Sequence, residues 1–228
     1  MPDMLQSFLE VLYNNAVAQG RWTMFLDGLI VTLQISFGAV VLGLAIGLAM
    51  AALRLSGSRS LVFVSKLYIG IIRGTPVVIQ LLIVNALLFP SVRGAGLWVG
   101  IVAIGINSGA YVCEIVRAGI LSVNKGQSEA GRSLGLGSKR TMAYVVIPQA
   151  IKNILPALAN EFIVLIKETA IVGMVAVTDL TRAGQQIMSR TFNVTPLFIS
   201  AFAYLIIVAI LTFFLGKLEK WLRASDAR

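Results

Sequence analysis

Long apolar stretches separated by short polar breaks dominate the chain. Four of them, Met24 to Leu53, Leu97 to Val123, Leu155 to Val177 and Leu197 to Leu215, reach the length a membrane helix needs, about 20 mostly apolar residues. A fifth, Leu61 to Phe89, is long enough but is interrupted by Arg73-Gly74-Thr75-Pro76. The pattern predicts an all-α membrane protein of five transmembrane helices in a single domain, residues 1–228. The expected spans are about 24–53, 61–89, 97–123, 155–177 and 197–215. Five spans put the chain ends on opposite sides.

One long polar segment, 124–154, lies between the third and fourth spans. It divides into two short helical pieces, Gln127 to Leu134 and Lys139 to Ile147, around a Gly135-Leu136-Gly137 break. Ser138 is the expected N-cap of the second piece, and Pro148 and Pro156 are expected to end or kink the helix beyond it. At the N-terminus Met4, Leu5, Phe8 and Leu12 keep helical spacing and predict a helix lying on the membrane surface. Asp3, Glu10 and the lack of a continuous apolar core distinguish Met1 to Arg21 from a signal peptide. Lys217 to Arg223, with Trp221, reads as a headgroup anchor at the other end.

Composition sharpens this picture. The 228 residues are 57% hydrophobic and 13% charged, against about 25% charged in soluble domains. One cysteine excludes a disulfide scaffold, and the absence of histidine excludes histidine triads, histidine metal sites and imidazole relays. The net charge of +9 is topological. Arg54, Arg59, Lys66, Arg117, Lys125, Arg132, Lys139, Arg140, Lys152, Lys217, Lys220, Arg223 and Arg228 fall on one side, and Arg21, Arg93, Arg182 and Arg190 on the other. The positive-inside rule then orients the N-terminus outside and the C-terminus in the cytoplasm. The charge needs no nucleic-acid partner to explain it; membrane lipid suffices.

The polar loop carries a motif. Glu129-Ala130-Gly131, three residues, Gly135, nine residues, then Val145-Val146-Ile147-Pro148 resembles the EAA loop of ABC importer permeases. Arg73-Gly74-Thr75-Pro76, Glu114 to Ile120, Gly126 to Ala130 and Asn160 to Thr169 are similar to the polar amino-acid branch (histidine, glutamine, arginine and opine type). The resemblance implies a type I-like permease fold in a bacterial-type cytoplasmic membrane. It also implies a second permease subunit, identical or paralogous, two cytoplasmic ATPases and an extracytoplasmic solute-binding protein. Glu129, Ala130, Gly131 and Gly135 would be the residues coupling to the ATPase. ATP and magnesium would be bound by that partner, since the chain has no phosphate loop of the G-x-x-x-x-G-K-[ST] type and is expected to hold no cofactor.

Intramembrane polar residues are the remaining chemistry. An ionised side chain at mid-helix costs on the order of 2.5–3.5 kcal/mol on insertion scales, so each one needs a reason. Arg73 and Thr75 sit near the middle of the second span, Asn107 and Glu114 bracket the middle of the third, and Lys167 and Glu168 lie at a similar depth in the fourth. Asn160 with Lys167, and Glu161 with Glu168, make two adjacent stripes seven residues long, nearly two helical turns, and both are expected to face inward. Two readings stay open. Glu114 pairs with Arg117 and Arg73 with Glu168 or Glu161, fixing the packing; or these eight residues line a pathway for an amino acid. In the second reading, Arg73 and a helix restarting at Thr75-Pro76 offer donors to a carboxylate, and Glu161 or Glu168 receives the ammonium.

Other features carry less. Gly38, Gly43 and Gly47 predict a close helix approach, within the subunit or at a dimer seam, and Cys113 is expected to be packing. Thr178 to Thr195 reads as an outer loop, either solvated or touching the binding protein. An ion-gradient-driven secondary transporter is the alternative function, weakened by the lack of an internal repeat. An intramembrane enzyme lacks a nucleophile with its base.

Overall fold

The computed structural model describes residues 10–11, 13–90 and 94–224, and every regular element among them is helical. The helices that position the site are α1 (Arg21–Arg54), α2 (Arg59–Gly74), α3 (Val77–Leu88), α4 (Gly96–Leu121), α5 (Lys125–Ser133), α6 (Ser138–Thr141), α7 (Ile147–Glu168), α8 (Leu180–Thr191) and α9 (Thr195–Ala224). The expected surface helix through Met4, Leu5, Phe8 and Leu12 lies outside the described residues.

The core is a parallel pair, α1 against α4. Glycines bring them together: a Cβ on Gly38 would meet Ile101 at 2.8 Å, one on Gly43 would meet Ser108 at 3.0 Å, and one on Gly47 would meet Val112 at 2.5 Å. The small-residue spacing of α1 is therefore a seam within the subunit. Ile35, Ala39, Val99, Ala103 and Ile104 fill the space beside it. α7 runs antiparallel to α4, with Ile154 against Gly119 near one end and Glu161 against Ser108 higher up. α9 contributes little to this core; Phe198, Phe202, Leu205, Ile210 and Phe213 are exposed, as side chains facing lipid are.

By length and composition Tyr13–Arg54, Gly96–Leu121 and Thr195–Leu222 are each able to cross a membrane, and α2 with α3 forms a broken fourth, bent by 106°. α7 falls short of that test, having Lys152, Glu161, Lys167 and Glu168 among its apolar residues.

Four local expectations change. The stretch read as 155–177 begins earlier, at Ile147, and its α-helix ends at Glu168, continuing as a 3-10 turn over Thr169–Val175. Pro148 lies in the first turn of α7, directly after a π-helical turn, and does not stop the helix. Gly137, not Ser138, precedes α6, which is one turn long and passes through a π-helical turn, Met142–Val146, into α7. Thr178 to Thr195 is not a plain loop: it folds as α8, with Leu180, Ala183, Gly184 and Ile187 buried.

α8 is anchored at its start. Asp179, fully buried, accepts from the N–H groups of Arg182 at 2.9 Å and Thr181 at 3.1 Å, and from Tyr204 Oη at 3.1 Å. A helix N-terminus favours such a carboxylate. Thr32 Oγ1 of α1 accepts from Leu180 N at 3.2 Å, so three helices meet at this cap.

Candidate functional site

The break between α2 and α3 follows from one proline. Thr75 precedes Pro76, and a residue before proline is driven out of the α region; Thr75 is extended at φ −121°, ψ 143°. Pro76 is extended as well, and serves as the N-cap of α3. The interruption frees backbone carbonyls that a continuous helix would use.

Gln80, one turn into α3 and buried, closes that gap. Its Nε2 donates to Ile72 O at 2.7 Å, Thr75 Oγ1 at 2.8 Å and Thr75 O at 3.1 Å. Its Oε1 accepts from Nδ2 of Asn107, a residue only 4% exposed, at 3.0 Å. Thr75 Oγ1 donates in turn to Ile71 O at 2.9 Å. The next residue of α4, Ser108, donates its hydroxyl to Glu161 Oε1 at 2.9 Å, and both are buried. Consecutive residues of α4 thus reach two different neighbours, Asn107 the broken helix and Ser108 α7.

The other expected residues diverge from this centre. Glu114 and Arg117 close on each other, with Oε2 accepting from Nη2 at 2.7 Å and from Nε at 3.1 Å. Arg73 is exposed and pairs with neither Glu161 nor Glu168; its guanidinium lies over the Tyr111 ring, 5.2 Å from the centroid. The two stripes of α7 also part. Glu161 is buried and Glu168 half-buried, whereas Asn160 and Lys167 are exposed. One residue is a 100° step around a helix, enough to turn neighbouring stripes to different surroundings.

Gln80, Ser108 and Tyr111 were not among the residues singled out from sequence. Gln80 had a signal: it is a lone carboxamide in the apolar run Val77 to Val84, one turn after a helix-breaking proline.

The polar loop has a different construction. Asn124 caps α5 by accepting from Gly126 N at 2.8 Å. At the other end Gly135 takes φ +84°, the left-handed conformation glycine adopts most readily. Its N–H donates to Arg132 O at 3.0 Å, and that of Leu136 to Gly131 O at 3.1 Å. These two bonds are those of a Schellman stop, so Gly135 terminates α5 and turns the chain toward α6. Gly131 is buried where α5 meets α6; a Cβ there would sit 2.9 Å from Thr141 Cγ2. Thr141 Oγ1 is itself held to Gly137 O at 3.2 Å. Glu129 and Ala130 are exposed, alongside Leu134 (83% exposed) and Tyr144 (74%). The loop presents a compact two-helix surface with an acidic residue and large apolar groups open on it.

Comparison with known proteins agrees with this architecture. The chain is 39% identical to the arginine transport system permease protein ArtQ of Bacillus subtilis, over 88% of its length and 93% of that protein. It is 40% identical to a putative glutamine transport system permease protein GlnP of Rickettsia felis, over 85% and 90%. The glutamine permease GlnP of Escherichia coli K12 is 38% identical over 86% and 92%. A crystal structure of an amino acid ABC transporter with histidines superposes with a TM-score of 0.82 at 44% identity, covering 87% of this chain and 94% of that one. An inward-facing MetNI methionine ABC transporter shares the fold at 20% identity, with a TM-score of 0.78 over 90% of this chain and 99% of the other. All five are transport proteins, and the all-α architecture is that of ABC importer permeases. Residues 43–224 match one family across most of the chain, and the chain belongs to it: the binding-protein-dependent transport system inner membrane components.

Proposed function

We propose that the chain is the membrane-spanning permease subunit of an ATP-driven importer of polar amino acids. It crosses a bacterial-type cytoplasmic membrane five times, N-terminus outside. A second permease subunit completes the pathway. Two ATPase subunits bind ATP and magnesium on the cytoplasmic side, and a solute-binding protein delivers the amino acid from outside. The observation that carries this reading is 39% identity, over nearly the whole chain, to a permease named for arginine transport, joined to a polar cluster that an apolar helix bundle has no packing need for.

The geometry supports a division of labour. Arg73, Thr75, Asn160 and Lys167 are open on the surface of the single chain, where a passage between two subunits would run. Glu161, buried and held by Ser108, is the anion for an ammonium or a cationic side chain. Asn107 and Glu168 border this region, while Glu114 is occupied by Arg117. At the cytoplasmic end Glu129, Ala130, Gly131 and Gly135 form the element that receives ATPase movement, Glu129 and Ala130 by exposure and the two glycines by shaping the fold beneath them.

The test is reconstitution in liposomes with the cognate ATPase and binding protein, scored as ATP-dependent uptake of arginine, glutamine or histidine. Arg73→Ala and Glu161→Gln are expected to impair uptake while the ATPase still copurifies. Wild-type uptake in both variants would remove the pathway assignment, and the absence of any copurifying ATPase would remove the importer reading itself.

A further inference from the structure

We infer that Gln80 is a positioning residue for transport: its single carboxamide pins the bend of the broken helix to α4 and so sets where Arg73 and Thr75 stand in the pathway. The inference deepens the pathway reading and rests on it for its functional consequence.

A bend of 106° between two helices separated by a two-residue break is not held by backbone alone. The last turn of α2 loses the N–H donors its carbonyls would have met, and Pro76 has no N–H to offer. In the apolar interior of a membrane those carbonyls need partners, since water is scarce. Gln80 supplies them from across the gap, to Ile72 O and Thr75 O, and caps the Thr75 hydroxyl with the same amide nitrogen. The two N–H groups are shared among three acceptors lined up on the α2 side, so these bonds oppose a change in the bend. The carbonyl end is equally committed, since Oε1 accepts from Asn107. A carboxamide offers two N–H donors on one side and a carbonyl acceptor on the other. Leucine fills the space with neither; glutamate, once ionised, loses the donors.

Two anchors make the α2 end rigid. Tyr68 Oη donates to Ile106 O at 2.5 Å, nearly two turns before the break, fixing α2 on α4 just beside Asn107. Gln80 then fixes α3 to the same point from the other side. Between the two anchors lie Arg73, with its guanidinium over Tyr111, and exposed Thr75. The bend is thus referred to α4, the helix that also holds Glu161 through Ser108. The two ends of a bound amino acid would be positioned from one helix.

The experiment measures position and transport separately. Gly74→Cys places a thiol beside the break, where nothing lies within 4 Å of a Cβ, in a Cys113→Ala background. Its labelling rate with N-ethylmaleimide reports the local geometry in the assembled transporter. Gln80→Leu is expected to change that rate severalfold and to raise the substrate concentration for half-maximal uptake by roughly tenfold, as expected for stranded buried carbonyls. The exchange Gln80→Asn with Asn107→Gln should recover more of both than either single change. A purely structural role would lower the amount of complex and leave half-saturation and labelling unchanged per complex; that result overturns the inference. Should Gln80→Leu fail to accumulate in membranes, Asn107→Leu decides, because it cuts only the tie to α4. It should shift both readouts in the same direction, and wild-type values would again overturn the proposal. Altered labelling with unaltered half-saturation would keep the pin and remove the pathway role of Arg73 and Thr75, which separates the two failures.

Discussion

The loop between α4 and α7 and the polar layer around the broken helix are both polar islands in an apolar chain, and they are built in opposite ways. In the loop, backbone and glycine do the shaping: a Schellman stop at Gly135, a close contact at Gly131 and an asparagine cap hold two short helices together. The polar side chain of interest, Glu129, points outward and supports nothing. In the layer, the polar side chains are the framework. Gln80, Asn107, Ser108 and Glu161 are buried and bonded to one another or to carbonyls. A substitution in the layer therefore perturbs structure and function together. In the loop the two are separable.

The largest effect on stability is expected where the layer rests on the glycine seam. A Cβ on Gly43 already meets Ser108 Cβ and Oγ at 3.0 Å. Gly43→Val adds that Cβ and two methyl groups beyond it and overpacks a site with no slack, at a cost of about 1–3 kcal/mol. It also displaces the hydroxyl bonded to Glu161. Thermal unfolding of the purified subunit should move clearly down, and uptake per folded complex should fall with it. Gly57→Ala, with open space around its Cβ position, is the control and should stay near wild type. Equal unfolding temperatures in the two variants would show that the seam yields easily.

The loop's most sensitive point is Gly131. Alanine there brings a methyl to 2.9 Å from Thr141 Cγ2, and that methyl has little freedom because Thr141 Oγ1 is tied to Gly137 O. Gly131→Ala is expected to cost about 1 kcal/mol. Thr141→Ser removes the obstructing methyl and keeps the hydroxyl, so the double variant should recover most of the loss. The coupling energy of that cycle, measured by thermal or denaturant unfolding, is the readout. Strict additivity would mean that the helices are not in firm contact.

How far the sequence reveals each region depends on the same contrast. The loop was legible where its signals are local: a glycine at a fixed offset from Glu129 and a break flanked by helices are properties of neighbouring residues, whereas the second piece, read as Lys139 to Ile147, is a single turn that runs through a π-helical turn into α7. Three of the apolar stretches and the break at Arg73 to Pro76 were legible for the same reason, whereas the stretch read as 155–177 belongs to a helix that starts in polar sequence at Ile147 and ends at Glu168. Partners across helices were not. Arg73 was matched with Glu161 or Glu168 by charge, yet it stacks on Tyr111, because pairing depends on which face each helix turns to its neighbour. The stripe containing Asn160 and Lys167 was grouped with that of Glu161, but a one-residue step turns it from the buried face to an open face of the single chain. α8 escaped notice because its apolar positions, Leu180, Ala183, Gly184 and Ile187, include two of the smallest residues. Its stability comes from Asp179, Thr32 and Tyr204, far apart in sequence.

Smaller effects test the contrast at its margins. Glu114 and Arg117 are partly exposed, at 22% and 31%, and sit one turn apart on α4. Such a pair is worth about 0.2–1 kcal/mol where solvent reaches it, so Glu114→Gln should lower stability only slightly. In the Arg117→Gln background it should cost still less. A larger coupling in that double-mutant cycle would mean that the pair belongs to the buried framework after all.

Glu129→Lys should leave the least trace on the fold. The side chain is exposed, and surface changes away from packing features usually stay within about 0.5 kcal/mol. If the loop is where ATPase movement enters the subunit, reversal of that one charge should abolish ATP-dependent uptake and weaken copurification of the ATPase, with the unfolding temperature unchanged. No residue of the layer is expected to behave this way, because none can lose its polar group without stranding a buried partner. Wild-type uptake in Glu129→Lys would leave the loop a compact two-helix surface of no consequence to transport. Loss of uptake together with a lowered unfolding temperature would show that Glu129 supports the fold, and the separation between the two islands would be lost.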